Sequence, residues 1–157
     1  MSDLKADIAA VLDALCACWN ATDLGPIRDL WDADEAVPFA LPQEILEPII
    51  SWERYERYLR EGEARLHGSS MRWWDLNVKE LAPGLAVALY QMHWNGQIKG
   101  FSFPMGVDSR VTAIFRRKPE GWKICHYVEA MPSPLLHLQQ AYAAAVDPEF
   151  KVEAAGR

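Results

Sequence analysis

The apolar pattern of this chain changes period once, and that change limits what it can fold into. Before Gly68 apolar residues recur every three or four positions; after it they alternate. Leu4, Ile8, Val11, Leu12, Leu15 and Trp19 share one face of a helix over the first 20 residues, opened by a Ser2 or Asp3 cap. Ile27, Leu30 and Trp31 suggest a short second helix. Ser51 caps a third, whose stripe is Trp52, Tyr55, Leu59 and Leu66 and whose outer face carries Glu53/Arg57, Glu56/Arg60 and Glu61/Arg65 pairs. Gly62 weakens that helix and Gly68 ends it. Residues 71–81, 85–94, 97–103, 110–117 and 122–131 read as strands, with Pro83-Gly84 and Asn95-Gly96 as turns. A short strand over 37–41 is edge-like, because Pro38 has no amide to donate. Helices first and strands second predict an α+β fold, with helices packed on one face of a curved antiparallel sheet. Ser133-Pro134 opens a C-terminal helix carrying Leu135, Leu138, Tyr142 and Val146. The chain reads as one domain over 1–147 with a frayed tail over 148–157.

Its 157 residues are enough for one continuous core without disulfides or metal. The net charge of −6 argues against a nucleic-acid partner, which needs clustered Lys and Arg. The one dense basic cluster, Arg116-Arg117-Lys118, falls at a turn and reads as a solvated hairpin end. Cys16, Cys18 and Cys125 have neither metal nor redox spacing and read as buried thiols. No basic leader with an apolar run and no membrane-length segment is present, so a cytoplasmic chain without membrane contact is expected. The four histidines lack zinc spacing, and neither metal nor cofactor is expected.

The segment 110–134, RVTAIFRRKPEGWKICHYVEAMPSP, forms a hairpin. A four-residue loop pairs Arg117 with Trp122, which puts Val111, Ala113 and Phe115 on one face with Trp122, Ile124, His126 and Val128. Arg110 and Thr112 then share the other face with Tyr127 and Glu129, and Arg110/Glu129 is an outer ion pair. One bulge would reverse this and bring Arg110 inside. The apolar neighbours of Trp122 make its face the inner one.

The order helix, helix, short strand, helix, meander resembles the nuclear-transport-factor-2-like superfamily, and most of all its SnoaL-like members and the association domain of calcium/calmodulin-dependent kinase. In residues the resemblance rests on Trp19 and Asp23, Arg110-x-Thr112, Phe115-Arg-Arg117, Gly121-Trp122, His126 and Ser133-Pro134. It covers about the first 134 residues. It implies a cone-shaped, curved mixed or antiparallel sheet wrapped around three N-terminal helices, a ketosteroid-isomerase-like pocket on the concave face, and a homodimer. Many relatives carry a second histidine two positions after the first; here that position is Val128, and roles of a histidine pair do not transfer.

His126 has two readings, a general acid/base in the pocket wall or a core histidine bonded to a carbonyl or to Asp23. Asp23 is a second candidate catalytic group or a helix cap. Trp31, Tyr55, Trp74, Trp94, Arg110 and Trp122 are the candidate ligand-binding residues, with His93 facing away from the pocket if Trp94 faces in. The resemblance and these side chains imply a protein that binds a small apolar or aromatic molecule. The alternative is a cofactor-independent lyase, isomerase or hydrolase that uses His126, with Asp23 or Tyr55 as its partner. Two polar side chains converging inside the cone are required for the second.

Overall fold

Three caps set the helical half. In this computed structural model, which describes residues 3–132 and 135–146, the Asp3 carboxylate accepts from Lys5 N at the start of α1 (Leu4–Ala21). Thr22 ends that helix in the left-handed region, its amide bonding back to Cys18 and Trp19. Ser51 Oγ accepts from Arg54 N at the start of α2 (Trp52–Arg65). The expected second helix is a single 3-10 segment, Gly25–Leu30, capped by no side chain. Asp23, a candidate for that cap, is exposed beside it.

The sheet runs β1 (Phe39–Leu41), β5 (Gly121–Ala130), β4 (Met105–Lys118), β3 (Leu85–Ile98), β2 (Leu66–Ala82) from edge to edge. β1 is parallel to β5 and the other pairings are antiparallel, so the sheet is mixed. It curves around α1, α2 and the 3-10 segment. Its concave rows carry Ala86, Ala88, Tyr90 and Met92 on β3 and Val111, Ala113 and Phe115 on β4, packed against Ile8, Leu12 and Leu15 of α1. These sheet residues are mostly small in the middle, which lets the helices approach. Asn20 Oδ1 accepts from Met71 N at 2.6 Å and Ser69 Oγ donates to Trp19 O at 2.5 Å, tying the end of α1 to β2.

Several expectations change. Asn95-Gly96 is no turn: it lies inside β3, with Gly96 paired to Ser69 and Met105. The Trp94 indole lies over Gly96, where a Cβ would meet it at 2.2 Å. The glycine signal marks that close approach and not a reversal. Strand β2 starts at Leu66, so Gly68 is a strand residue and α2 ends at Arg65. The basic turn is not simply solvated. Arg116 and Lys118 clasp the fully buried Asp32 at 3.1 Å each, and reach on to Glu35 and Asp34. The C-terminal helix α3 (Leu135–Ala144) exposes Tyr142. The tail over 148–157 and the side chain of His137 lie outside the described residues. No helix among the described residues is long and apolar enough to cross a membrane.

Candidate functional site

One inserted residue in β5 decides which side chains enter the cone. Arg117 pairs with Trp122 and Phe115 with Ile124, but Ile114 pairs with His126, leaving Cys125 as the extra residue of a β-bulge. Its buried thiol contacts Ile114 O at 3.4 Å. Beyond the bulge the alternation is inverted. Tyr127 and Glu129 enter the cone in line with Ile124, whereas His126 lies on the outer face against the Phe39 ring, 6.2 Å between centroids.

Glu129 borders two neighbouring spaces. The larger, about 240 Å³, is walled by Trp19, Leu66, Met71, Met92, Trp94, Ile98 and Val107. Trp19 and Trp94 meet edge to face at 6.1 Å. Exposed Glu44 and Arg65 mark its outer end. The smaller, about 30 Å³, is walled by Leu15, Trp31, Tyr55 and Ile124, with Trp19, Tyr58 and Glu129 common to both. Trp31 Nε1 donates to Tyr55 Oη at 2.8 Å, a bond that occupies both groups within the wall.

The polar groups gather at the junction of the two spaces. Tyr127 Oη donates to Glu129 Oε1 at 2.5 Å, and the Gln43 amide donates to Oε2 at 3.4 Å. Tyr58 Oη donates to Glu44 Oε1 at 2.7 Å. Burial pushes the Glu129 carboxyl up to about 7; Tyr127 opposes the rise, Glu44 adds to it, and the Gln43 amide opposes it. Burial also holds the Tyr58, Tyr90 and Tyr127 phenols well above their ordinary range, so all three stay protonated donors at neutral pH. The Tyr90 hydroxyl, buried beside Tyr127, has no hydrogen-bond partner of good geometry. A carboxyl poised near neutrality, next to a phenol in an apolar cavity, can take up and release a proton at carbon. Among the described residues no group of three His, Cys, Asp or Glu side chains is arranged to hold a metal ion.

The family model for the SnoaL-like domain matches residues 8–134. The chain belongs to the SnoaL-like family. Solved structures with the SnoaL-like cone align along most of its length. A candidate aromatic ring hydroxylase from Novosphingobium aromaticivorans is 17% identical, with a TM-score of 0.73 over 83% of this chain and 90% of that one. A candidate dehydratase of the NTF2-like family from Streptomyces avermitilis is 16% identical, with a TM-score of 0.71 over 83% and 96%. The type 3 hexachlorocyclohexane dehydrochlorinase LinA from Novosphingobium barchaimii is 12% identical, with a TM-score of 0.67 over 82% and 86%. At these identities the likeness carries the fold, and the site has to be argued from this SnoaL-like chain itself. No functionally curated protein matches it significantly.

Of the residues singled out in the sequence, the SnoaL-like cone brings Trp94 to the larger space and Trp31 and Tyr55 to the smaller. Trp122 is buried in the core beyond both. Trp74 lies on the outer face, under the Arg72 guanidinium at 5.7 Å. Arg110 is outer as well; it donates to Met131 O at 3.5 Å and forms no pair with Glu129, which faces the other way. Asp23 is exposed and borders neither space, and His126 is outside, so neither joins the polar junction. Glu129, Tyr127, Gln43, Glu44 and Tyr58 were missed. Tyr58 had a signal: it stands three residues after Tyr55, on whose ring it stacks at 6.2 Å, so the apolar stripe of α2 extends toward Gly62. Nothing in the local sequence marks the bulge that turns Tyr127 and Glu129 inward.

Proposed function

We propose that this cone binds a small, mostly apolar cyclic molecule and moves a proton at one of its carbon atoms, with Glu129 as the acid/base group and no cofactor. The observation that carries the reading is Glu129 itself: one carboxyl, raised to about 7 and bonded to Tyr127, in the wall of a mostly apolar cavity whose charged residues Glu44 and Arg65 stand at the outer end. As base, its carboxylate takes the proton of an activated C–H and becomes the neutral acid. The electron pair left on carbon moves into an adjacent carbonyl, giving an isomerisation on reprotonation, or expels a group from the neighbouring carbon, giving an elimination. Tyr58, a neutral phenol on the same wall, would turn its proton from Glu44 to a substrate oxygen. A cavity of about 240 Å³ fits one or two rings and not a large polycyclic ligand. Eliminations also give their names to the dehydratase and the dehydrochlorinase of the same fold.

Deuterium uptake tests the reading. Cyclic ketones and ring compounds bearing a leaving group are incubated with the protein in heavy water and followed by NMR for exchange or elimination. Wild type and His126→Ala are expected to react alike, and Glu129→Gln to be inactive. A reaction that survives Glu129→Gln would refute the assignment. A compound that raises the melting temperature yet neither exchanges nor eliminates would reduce the function to binding. A homodimer belongs to the same proposal: Phe39 and Leu89 are exposed on the outer sheet face, where a second copy would cover them. Solution mass checks it.

A further inference from the structure

Ser109 and Asp32 are the two buried polar or charged residues of the described chain with no exposed surface at all. Asp32 is accounted for by its ion pairs. Ser109 stands in the inner row of β4 between Val107 and Val111, where an unbonded hydroxyl would cost more than the alanine that would fit there. Its hydroxyl donates to Gln43 Oε1 at 2.9 Å, across to the loop that follows β1. Gln43 is the residue whose backbone amide points at Glu129 Oε2. Buried Pro42 precedes it and exposed Glu44 and Leu46 follow; Ile45 N bonds to Pro42 O at 3.2 Å and Tyr58 to Glu44, while the side-chain bond to Ser109 ties Gln43 itself to β4.

We propose that Ser109 is a positioning residue for Glu129: by holding the Gln43 side chain it keeps the Gln43 amide aimed at the second carboxylate oxygen. The proposal rests on Glu129 being the acid/base group. At 3.4 Å the amide bond is near its outer limit, so a small shift of the loop loses it. Tyr127 serves the first oxygen from the same strand and needs no such support. The two oxygens are thus held by unlike means, one by a rigid strand neighbour and one by a loop pinned from behind. Ser109 borders neither cavity and acts only through Gln43. Loss of the amide weakens the charged form more than the neutral acid, a bias that a purely structural role would not single out.

The test is a carbon-13 NMR titration of the Glu129 side-chain carboxyl, identified by its disappearance in Glu129→Gln. Ser109→Ala and Gln43→Leu are each expected to raise the midpoint by about half a pH unit. The double variant should go no further than the larger single change, because the two residues act in one chain. A midpoint in folded Ser109→Ala within about 0.2 unit of wild type overturns the proposal. If Ser109→Ala does not fold, Gln43→Leu decides by the same criterion. The wild-type midpoint is read separately: an ordinary carboxyl value there would refute the acid/base role of Glu129, whereas the difference between variant and wild type judges Ser109 whatever that value is.

Discussion

The Tyr127 hydroxyl and the Glu129 carboxylate, two residues apart on one strand, share a 2.5 Å hydrogen bond inside the cone. Residues so spaced point the same way, and the phenol is held protonated by burial, so it favours the charged carboxylate over the neutral acid. Tyr127→Phe is therefore expected to lift the Glu129 midpoint above its present value of about 7, by roughly half to one unit. The acid limb of a pH–rate profile for carbon-acid exchange should move up by the same amount. An unmoved limb would mean that another group sets it.

The raised carboxyl also costs stability. Its folded value, about 7, lies above the ordinary 4.5, so between those pH values the unfolded chain releases a proton that the folded chain keeps. Stability falls as pH rises through that window, and the full penalty remains above it. Glu129→Gln keeps the shape and removes the charge. It should be more stable than wild type at pH 8 by about 1–3 kcal/mol, with the gap closing near pH 4. Urea unfolding at the two pH values checks it, and parallel curves across the range would contradict the raised carboxyl.

Asp32 works in the opposite sense. Burial alone would raise its carboxyl, but the Asp34 amide, Lys118 and Arg116 outweigh it and hold it low. A depressed folded value means stability that is present above the ordinary carboxyl range and is lost as pH falls through the folded value. Asp32→Ala is expected to cost about 1–3 kcal/mol at pH 7; partly exposed Arg116 can turn to water, which keeps the loss below that of a fully enclosed pair. Part of the difference should vanish at about pH 3. Denaturant titration at both pH values would expose a network that contributes nothing.

Gly96→Ala tests the wall of the cavity. The new methyl would stand 2.2 Å from the Trp94 ring, so the indole has to leave Gly96 and Trp19. A loss of about 1–3 kcal/mol is expected, together with altered ligand affinity, because Trp94 faces the larger space. Equal stability and equal affinity would show that the indole has somewhere else to go.

Much of the fold was legible because it follows local rules. The change of period near Gly68, the Asp3 and Ser51 caps, the Pro83-Gly84 turn and the pairing of Arg117 with Trp122 all appear where the residues place them. Asn95-Gly96 shows where a local rule fails. The pair has the chemistry of a tight turn, yet β2 and β4 pair with it on both sides and the Trp94 ring occupies the space beside Gly96. Tertiary packing outweighs a turn preference of this size.

The α+β order and an aromatic interior are legible in the chain, since period, caps and composition act over many residues and one error does not change their sum. The cone followed from the resemblance to the SnoaL-like family. Which side chains of β5 look into the cone depends on pairing across the sheet and could not be read along the chain. A strand alternates with period two, so the single extra residue at Cys125 sends His126 and Val128 outward and Tyr127 and Glu129 inward. Cys125 looks like any other strand residue in the chain. The bulge is visible only once Ile114 has a partner across the sheet.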